Sequence, residues 1–149
     1  MYNYEVDLAW KENRKGIISS PVLTQSIEVA TPPEFQKGIE KIWSPEHLFV
    51  AAINSCLMTT FLAVAENSKL DFESFNSQAN GKLDKVDGKF MMTEVLLRPT
   101  LVINNPEMQD KAKRVLEMSE KACLISNSVK STIIFDPTIL IQEKEVVII

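Results

Sequence analysis

Cysteine and histidine are scarce in this chain: two cysteines, Cys56 and Cys123, and one histidine, His47. Two cysteines exclude the disulfide framework that staples small secreted domains. Together with a lone histidine, and with no C-x-x-C or H-x-x-x-H spacing, they also leave too few ligands for a zinc site. Positive charge is not in excess either. The net charge of -4 argues against a nucleic-acid partner, because phosphate binding needs a cationic surface. No run approaches the ~20 apolar residues of a membrane span. The longest apolar-rich stretch, 48–65, is interrupted by Asn54, Ser55, Thr59 and Thr60. The opening MYNYEVDLAW has no basic stretch followed by an apolar one, so no signal peptide is expected. The expected location is the cytoplasm, with no membrane partner. Repeats, low-complexity tracts and linkers are missing too, which predicts a single domain over 1–149.

What is present is an ordinary apolar content, 45% of 149 residues, enough for one domain with a real core. Residues 3–10 alternate polar and apolar as a half-buried strand does. KENRKG, 11–16, is a polar turn closed by Gly16. Residues 17–30 read as one or two strands split by Pro21, and TPPEFQKG, 31–38, as a loop stopped by its adjacent prolines. Ser44, Pro45 and Glu46 then form a strong helix start: a capping hydroxyl, a proline at the first position and an acid in the first turn. Nothing breaks that helix from His47 to Glu66. It is apolar nearly all round, with small residues at Ala51, Ala52, Ser55, Ala63 and Ala65, as a buried central helix would be.

Segments 70–85 and 89–103 read as strands joined at Asp87-Gly88, a strong hairpin signal. Asn105-Pro106-Glu107 repeats the cap, proline, acid pattern. It opens a second helix with Met108, Ala112, Val115, Ser119 and Ala122 on one face, ending near Cys123. Residues 131–141 read as a terminal hairpin turning at Asp136-Pro137. The order of strands, buried helix, strands, helix and strands predicts an α+β domain.

The ordinary reading of two such cysteines is a pair of buried, inert thiols. A redox pair needs more: a sulfur that forms a thiolate, a group that favours it, and a second sulfur to capture the oxidised product. Mid-helix burial raises the pKa of Cys56, so reactivity there calls for an arginine or lysine within reach. Cys123 sits at a helix C-terminus, where the dipole disfavours a thiolate. The local argument therefore prefers Cys56 as the attacking sulfur. His47 cannot assist it in cis, because nine residues place the two on opposite sides of a straight helix, about 13 Å apart along the axis.

SPEHLFVAAINSC, 44–56, resembles the helix opening of the OsmC/Ohr family of organic hydroperoxide reductases: Asn-Pro-Glu, an apolar run, and a cysteine ten residues after the glutamate. CLISNSV, 123–129, resembles the family's second cysteine motif, Cys-Pro-x-Ser-Asn. NRKG, 13–16, resembles the N-terminal turn that supplies an arginine. Leu124 stands where that family usually has proline, Ser44 replaces the usual asparagine, and the loop 31–43 is short and not glycine-rich. The resemblance implies an OsmC-like fold: antiparallel sheets packed around a buried central helix, in an intertwined homodimer with sites at the subunit interface. It assigns Cys56 as the peroxidatic cysteine and Cys123 as the resolving one. Arg14 would stabilise the thiolate and the departing oxygen, and Glu46 would hold Arg14 through a carboxylate–guanidinium pair.

Glu46 lies about 15 Å from Cys56 along a straight helix, so it is expected to serve the partner subunit's site in an obligate dimer. The expected activity is reduction of organic hydroperoxides through a Cys56 sulfenic acid and a Cys56–Cys123 disulfide. No cofactor is implied beyond an external dithiol reductant, which in the Ohr branch is lipoylated protein. The alternative is a non-catalytic dimer of the same fold that binds a small amphipathic ligand in an apolar interface pocket.

Overall fold

The computed structural model describes residues 1–142. The chain packs as two compact units, Met1–Phe49 and Val50–Ile149.

The first unit carries a three-stranded antiparallel sheet: β1 (Asp7–Glu12), β2 (Lys15–Ser19) and β3 (Ile27–Ala30), in that spatial order. The first strand starts at Asp7 rather than at residue 3. It turns into β2 through Asn13 and Arg14, with Asn13 in the left-handed region at φ 49°. The Trp10 indole N–H closes the turn on the Asn13 carbonyl at 2.9 Å. The segment after β3 is tied down by main-chain bonds from Ala30 N–H to the Trp43 carbonyl and from Ile39 N–H to the Thr31 carbonyl, both 2.9 Å. Gly38 lies so close to the backbone of Pro32 that no side chain would fit there.

The helix α1 (Pro45–Asn67) begins where the cap signal places it. The Ser44 hydroxyl accepts the His47 N–H at 3.1 Å, satisfying one of the free donors of the first turn. The 23-residue helix is long and apolar enough to cross a membrane by length and composition, which corrects the reading that its polar residues rule this out. Its buried positions Ile53, Leu57, Phe61 and Ala65 recur at helical spacing and mark it as a core helix. Burial is not all round, however. Ala52, Ser55, Met58 and Leu62 leave one flank open in the single chain, with Met58 41% and Leu62 43% exposed.

The second unit is built on the long hairpin of β4 (Ser74–Val86) and β5 (Lys89–Ile103). Its turn is Asp87-Gly88, with φ of 51° and 78°, the mirror-image geometry that Asp-Gly predicts. Asn105 caps a short 3₁₀ turn, its side chain accepting the Glu107 N–H at 2.9 Å, before α2 (Gln109–Ala122). Phe61, Ala65, Leu70, Leu101, Ile103, Ala112, Val115 and Leu116 form one buried cluster that joins α1, β5 and α2.

The terminal hairpin is not formed. Strands β6 (Thr132–Phe135) and β7 (Thr138–Ile141) both run parallel to β5, so the second sheet is mixed. Leu97 pairs with Phe135 and Thr100 with Thr138, the same offset on either side of the break. Asp136-Pro137 therefore interrupts one continuous strand instead of reversing it. The Asp136 N–H bonds the Leu97 carbonyl at 2.9 Å, which keeps the register across the proline.

Candidate functional site

Both cysteines belong to the second unit, and both are free thiols. Cys56 is carried mid-way along α1 and is 8% exposed; Cys123 is the residue that ends α2 and is fully buried. The fold brings the two thiols near enough for each to shift the ionisation of the other. Cys123 is located from two further sides. Its sulfur lies 4.0 Å from the Ile53 carbonyl, one turn before Cys56, and it accepts a hydrogen bond from the Ser126 hydroxyl at 3.3 Å. Cys56 lies 3.8 Å from the hydroxyl of Thr60, one helical turn on.

The two thiols are electrostatically unequal. Burial pushes the Cys56 thiol up, but hydrogen bonds from the Ile125 N–H, the Cys123 thiol, the Thr60 hydroxyl and the Leu124 N–H outweigh it, and the group is held below the ordinary thiol range. Burial also pushes Cys123 up; the Ser126 hydroxyl and N–H oppose this only in part, the adjacent Cys56 adds to the rise, and the thiol stays above its ordinary range. A thiolate, where one forms, therefore resides on Cys56 while Cys123 remains a protonated donor to it. Among the described residues of the single chain, main-chain N–H groups, small hydroxyls and the Cys123 thiol lower the Cys56 thiol. Cys123 apart, these contributors were not singled out from sequence. Thr60 was findable from its four-residue helical spacing to Cys56, and Ser126 from its position three residues after Cys123. The N–H donors of Leu124 and Ile125 carry no signal in residue type.

Arg14 and Glu46 belong to the first unit. Arg14 is exposed in the β1–β2 turn and borders a cleft of about 240 Å³ lined by Leu8, Trp10, Gly16, Val29 and Ala30 among others. Among the described residues no ion pair joins Arg14 to Glu46 within the chain. One oxygen of the Glu46 carboxylate, Oε2, is instead buried with no hydrogen-bond partner. His47 is exposed, its Nδ1 2.7 Å from the Ser44 hydroxyl and its ring edge-on to Trp43. That is the role of a residue completing a helix cap.

The family model for OsmC-like protein matches residues 38–138. The chain belongs to the OsmC-like family. An OsmC-like protein of unknown function from Vibrio cholerae has the same fold, with a TM-score of 0.82 at 26% identity over 92% of this chain and 99% of that one. An organic hydroperoxide resistance protein from Elizabethkingia anophelis superposes with a TM-score of 0.75 at 21% identity, covering 95% of this chain and 98% of the other. The uncharacterized protein YmaD of Bacillus subtilis is 24% identical over 137 residues, 89% of each chain. Proteins of this fold include an organic hydroperoxide resistance protein of Bacillus subtilis as well.

Proposed function

We propose that this protein reduces organic hydroperoxides with its two cysteines. The observation that carries the reading is the closeness of a thiol held below its ordinary range, Cys56, to one held above it, Cys123. The Cys56 thiolate attacks one peroxide oxygen and the O–O bond breaks. The other oxygen takes up a proton and leaves as the alcohol, and Cys56 becomes a sulfenic acid. The Cys123 sulfur attacks the sulfenic sulfur, the S–O bond breaks, and the hydroxyl leaves as water with the proton that Cys123 gives up. The resulting disulfide is reduced by an external dithiol, a lipoylated protein being the expected donor. A reducing cytoplasm suits this cycle. Apolar side chains beside Cys56 on α1, among them Ile53 and Leu57, favour organic hydroperoxides over hydrogen peroxide.

The test is a free-thiol titration after one equivalent of cumene hydroperoxide. Prompt loss of both thiols, with an intramolecular disulfide in the mass spectrum, is expected. Retention of both over minutes would end the peroxidase reading. The apolar cleft beside Arg14 would then direct attention to the binding of an amphipathic ligand.

The working form in this reading is a homodimer whose sites combine both subunits. Apolar surface that one chain leaves open supports it: Leu8 and Trp10 of β1, 70% and 75% exposed, and the flank of α1 at Met58 and Leu62. Exposed apolar surface of this kind marks an interface. So does the unpartnered Glu46 oxygen, which a cation of the second subunit would satisfy. Light scattering should give a dimer for the wild type and monomer for Leu62→Glu, which would bury a charge at the seam. A monomeric wild type at micromolar concentration would exclude the arrangement.

A further inference from the structure

The second cysteine motif carries a Ser-Asn pair, Ser126 and Asn127, and both residues fold back on the end of α2. The Asn127 N–H bonds the Cys123 carbonyl at 3.0 Å, and its side-chain amide donates to the Lys121 carbonyl at 3.1 Å. These bonds satisfy carbonyls at the helix end that have no partner within the helix. They fasten a short 3₁₀ turn, Ser126–Ser128, to α2. That turn returns the Ser126 hydroxyl to the sulfur of Cys123, to which it donates at 3.3 Å. The same sulfur has an acceptor, the Ile53 carbonyl, at 4.0 Å. The two neighbours favour opposite states. A carbonyl takes the S–H proton and suits the thiol; a hydroxyl donor suits the thiolate. Cys123 is fully buried, so water does not reach its sulfur to take that donor's place.

We propose that Ser126 is a catalytic residue of the resolving step: its hydroxyl donates to the Cys123 sulfur as that sulfur gives up its proton and attacks the Cys56 sulfenic acid. The proposal rests on the peroxidase reading for the sulfenic acid itself. The S–H bond of Cys123 breaks, the S–S bond forms and the S–O bond of Cys56 breaks. The proton leaves with the sulfenic hydroxyl as water, Cys123 is oxidised and the sulfenic sulfur is reduced. Ser126 keeps its own proton throughout. It supplies a hydrogen bond that strengthens as charge builds on the sulfur, at a buried place where an unsolvated charge is costly. Burial holds the Cys123 thiol up and the Ser126 hydroxyl opposes that rise, so the donor acts on the step that burial slows. Speed matters there, because a sulfenic acid that waits is open to a second peroxide and to irreversible oxidation.

Ser126→Ala removes the donor and Ser126→Thr keeps one. After one equivalent of cumene hydroperoxide, with dimedone present, disulfide formation competes with trapping of the sulfenic acid on Cys56. Below the Cys123 midpoint, Ser126→Ala should form the disulfide about tenfold more slowly, the worth of one hydrogen bond to an ionised group, and should give more dimedone adduct. Ser126→Thr should restore the rate. Equal partition in Ser126→Ala and wild type, or equal slowing in both variants, would overturn the proposal. The ionisation of Cys123 is read without peroxide. In Cys56→Ser protein isotope-labelled at the cysteine Cβ, Cys123 gives the single cysteine resonance. Adding Ser126→Ala should move its titration midpoint about one pH unit higher, and Ser126→Thr should bring it back. A midpoint that ignores the alanine substitution would refute the donor role. A shifted midpoint in a protein whose wild type keeps both thiols after peroxide would place the failure in the peroxidase reading and not in the Ser126 hydrogen bond.

Discussion

Cys56→Ser should abolish peroxide-dependent thiol loss, with the rate of hydroperoxide consumption falling by a factor on the order of a thousand or more. A serine hydroxyl at this site meets the same N–H and hydroxyl donors, but they cannot bring an alcohol to ionise near neutral pH. The remaining Cys123 is poorly suited to substitute: it is fully buried and its thiol is held above the ordinary range. Cys123→Ser should behave differently. The Cys56 thiolate still forms, one equivalent of hydroperoxide is still consumed, and the cycle stops at the sulfenic acid, which dimedone traps as an adduct on Cys56. The informative contrast is between none and one equivalent consumed. If Cys56→Ser still formed a peroxide-dependent sulfenic acid on Cys123, the order of attack proposed here would be reversed.

The parts of this site that were legible in the sequence are those set by local chemistry. Ser44-Pro45-Glu46 announces the start of α1 because a capping hydroxyl, a proline free of a needed N–H and an acid at the positive end of a helix each act within one turn. Asp87-Gly88 announces its hairpin because both residues tolerate positive φ. Cys56 was preferred as the attacking sulfur from the helix-terminal position of Cys123, and the contrast between the two thiols has that sign.

What was not legible depends on which chain segment meets which. Asp136-Pro137 carries the residues of a reversing turn. Only the neighbouring strand β5, with its free edge, decides that residues 132–141 pass straight along it. The main-chain groups that lower the Cys56 thiol have no residue type to read. Among the described residues of one chain no ion pair joins Glu46 to Arg14. One oxygen of the Glu46 carboxylate is buried without a partner, a demand that sequence could not show.

Phe61→Ala should cost about 3–5 kcal/mol of stability, the range for truncating a fully buried aromatic residue. Phe61 is completely enclosed, stacked on Phe75 of β4 at 4.6 Å between ring centroids and edge-on to Phe72 at 5.1 Å. The loss combines the transfer of the ring back to water, the cavity left behind, and about 0.5–1.5 kcal/mol for each aromatic pairing. For a domain of this size that is a large part of the whole margin of stability. Urea unfolding measures it, and a loss below about 1 kcal/mol would mean that the ring is not the anchor described here. The position also ties stability to chemistry. Phe61 follows Thr60, the hydroxyl beside Cys56, and it fixes the same stretch of α1 on the sheet. Cys56 and Cys123 shift one another only while that stretch is seated, so the variant should show slower Cys56 alkylation even where it remains folded. Thr60→Val separates the two contributions. It removes a donor to the sulfur while leaving the Phe61 packing in place, and so should slow alkylation with a much smaller change in the unfolding midpoint.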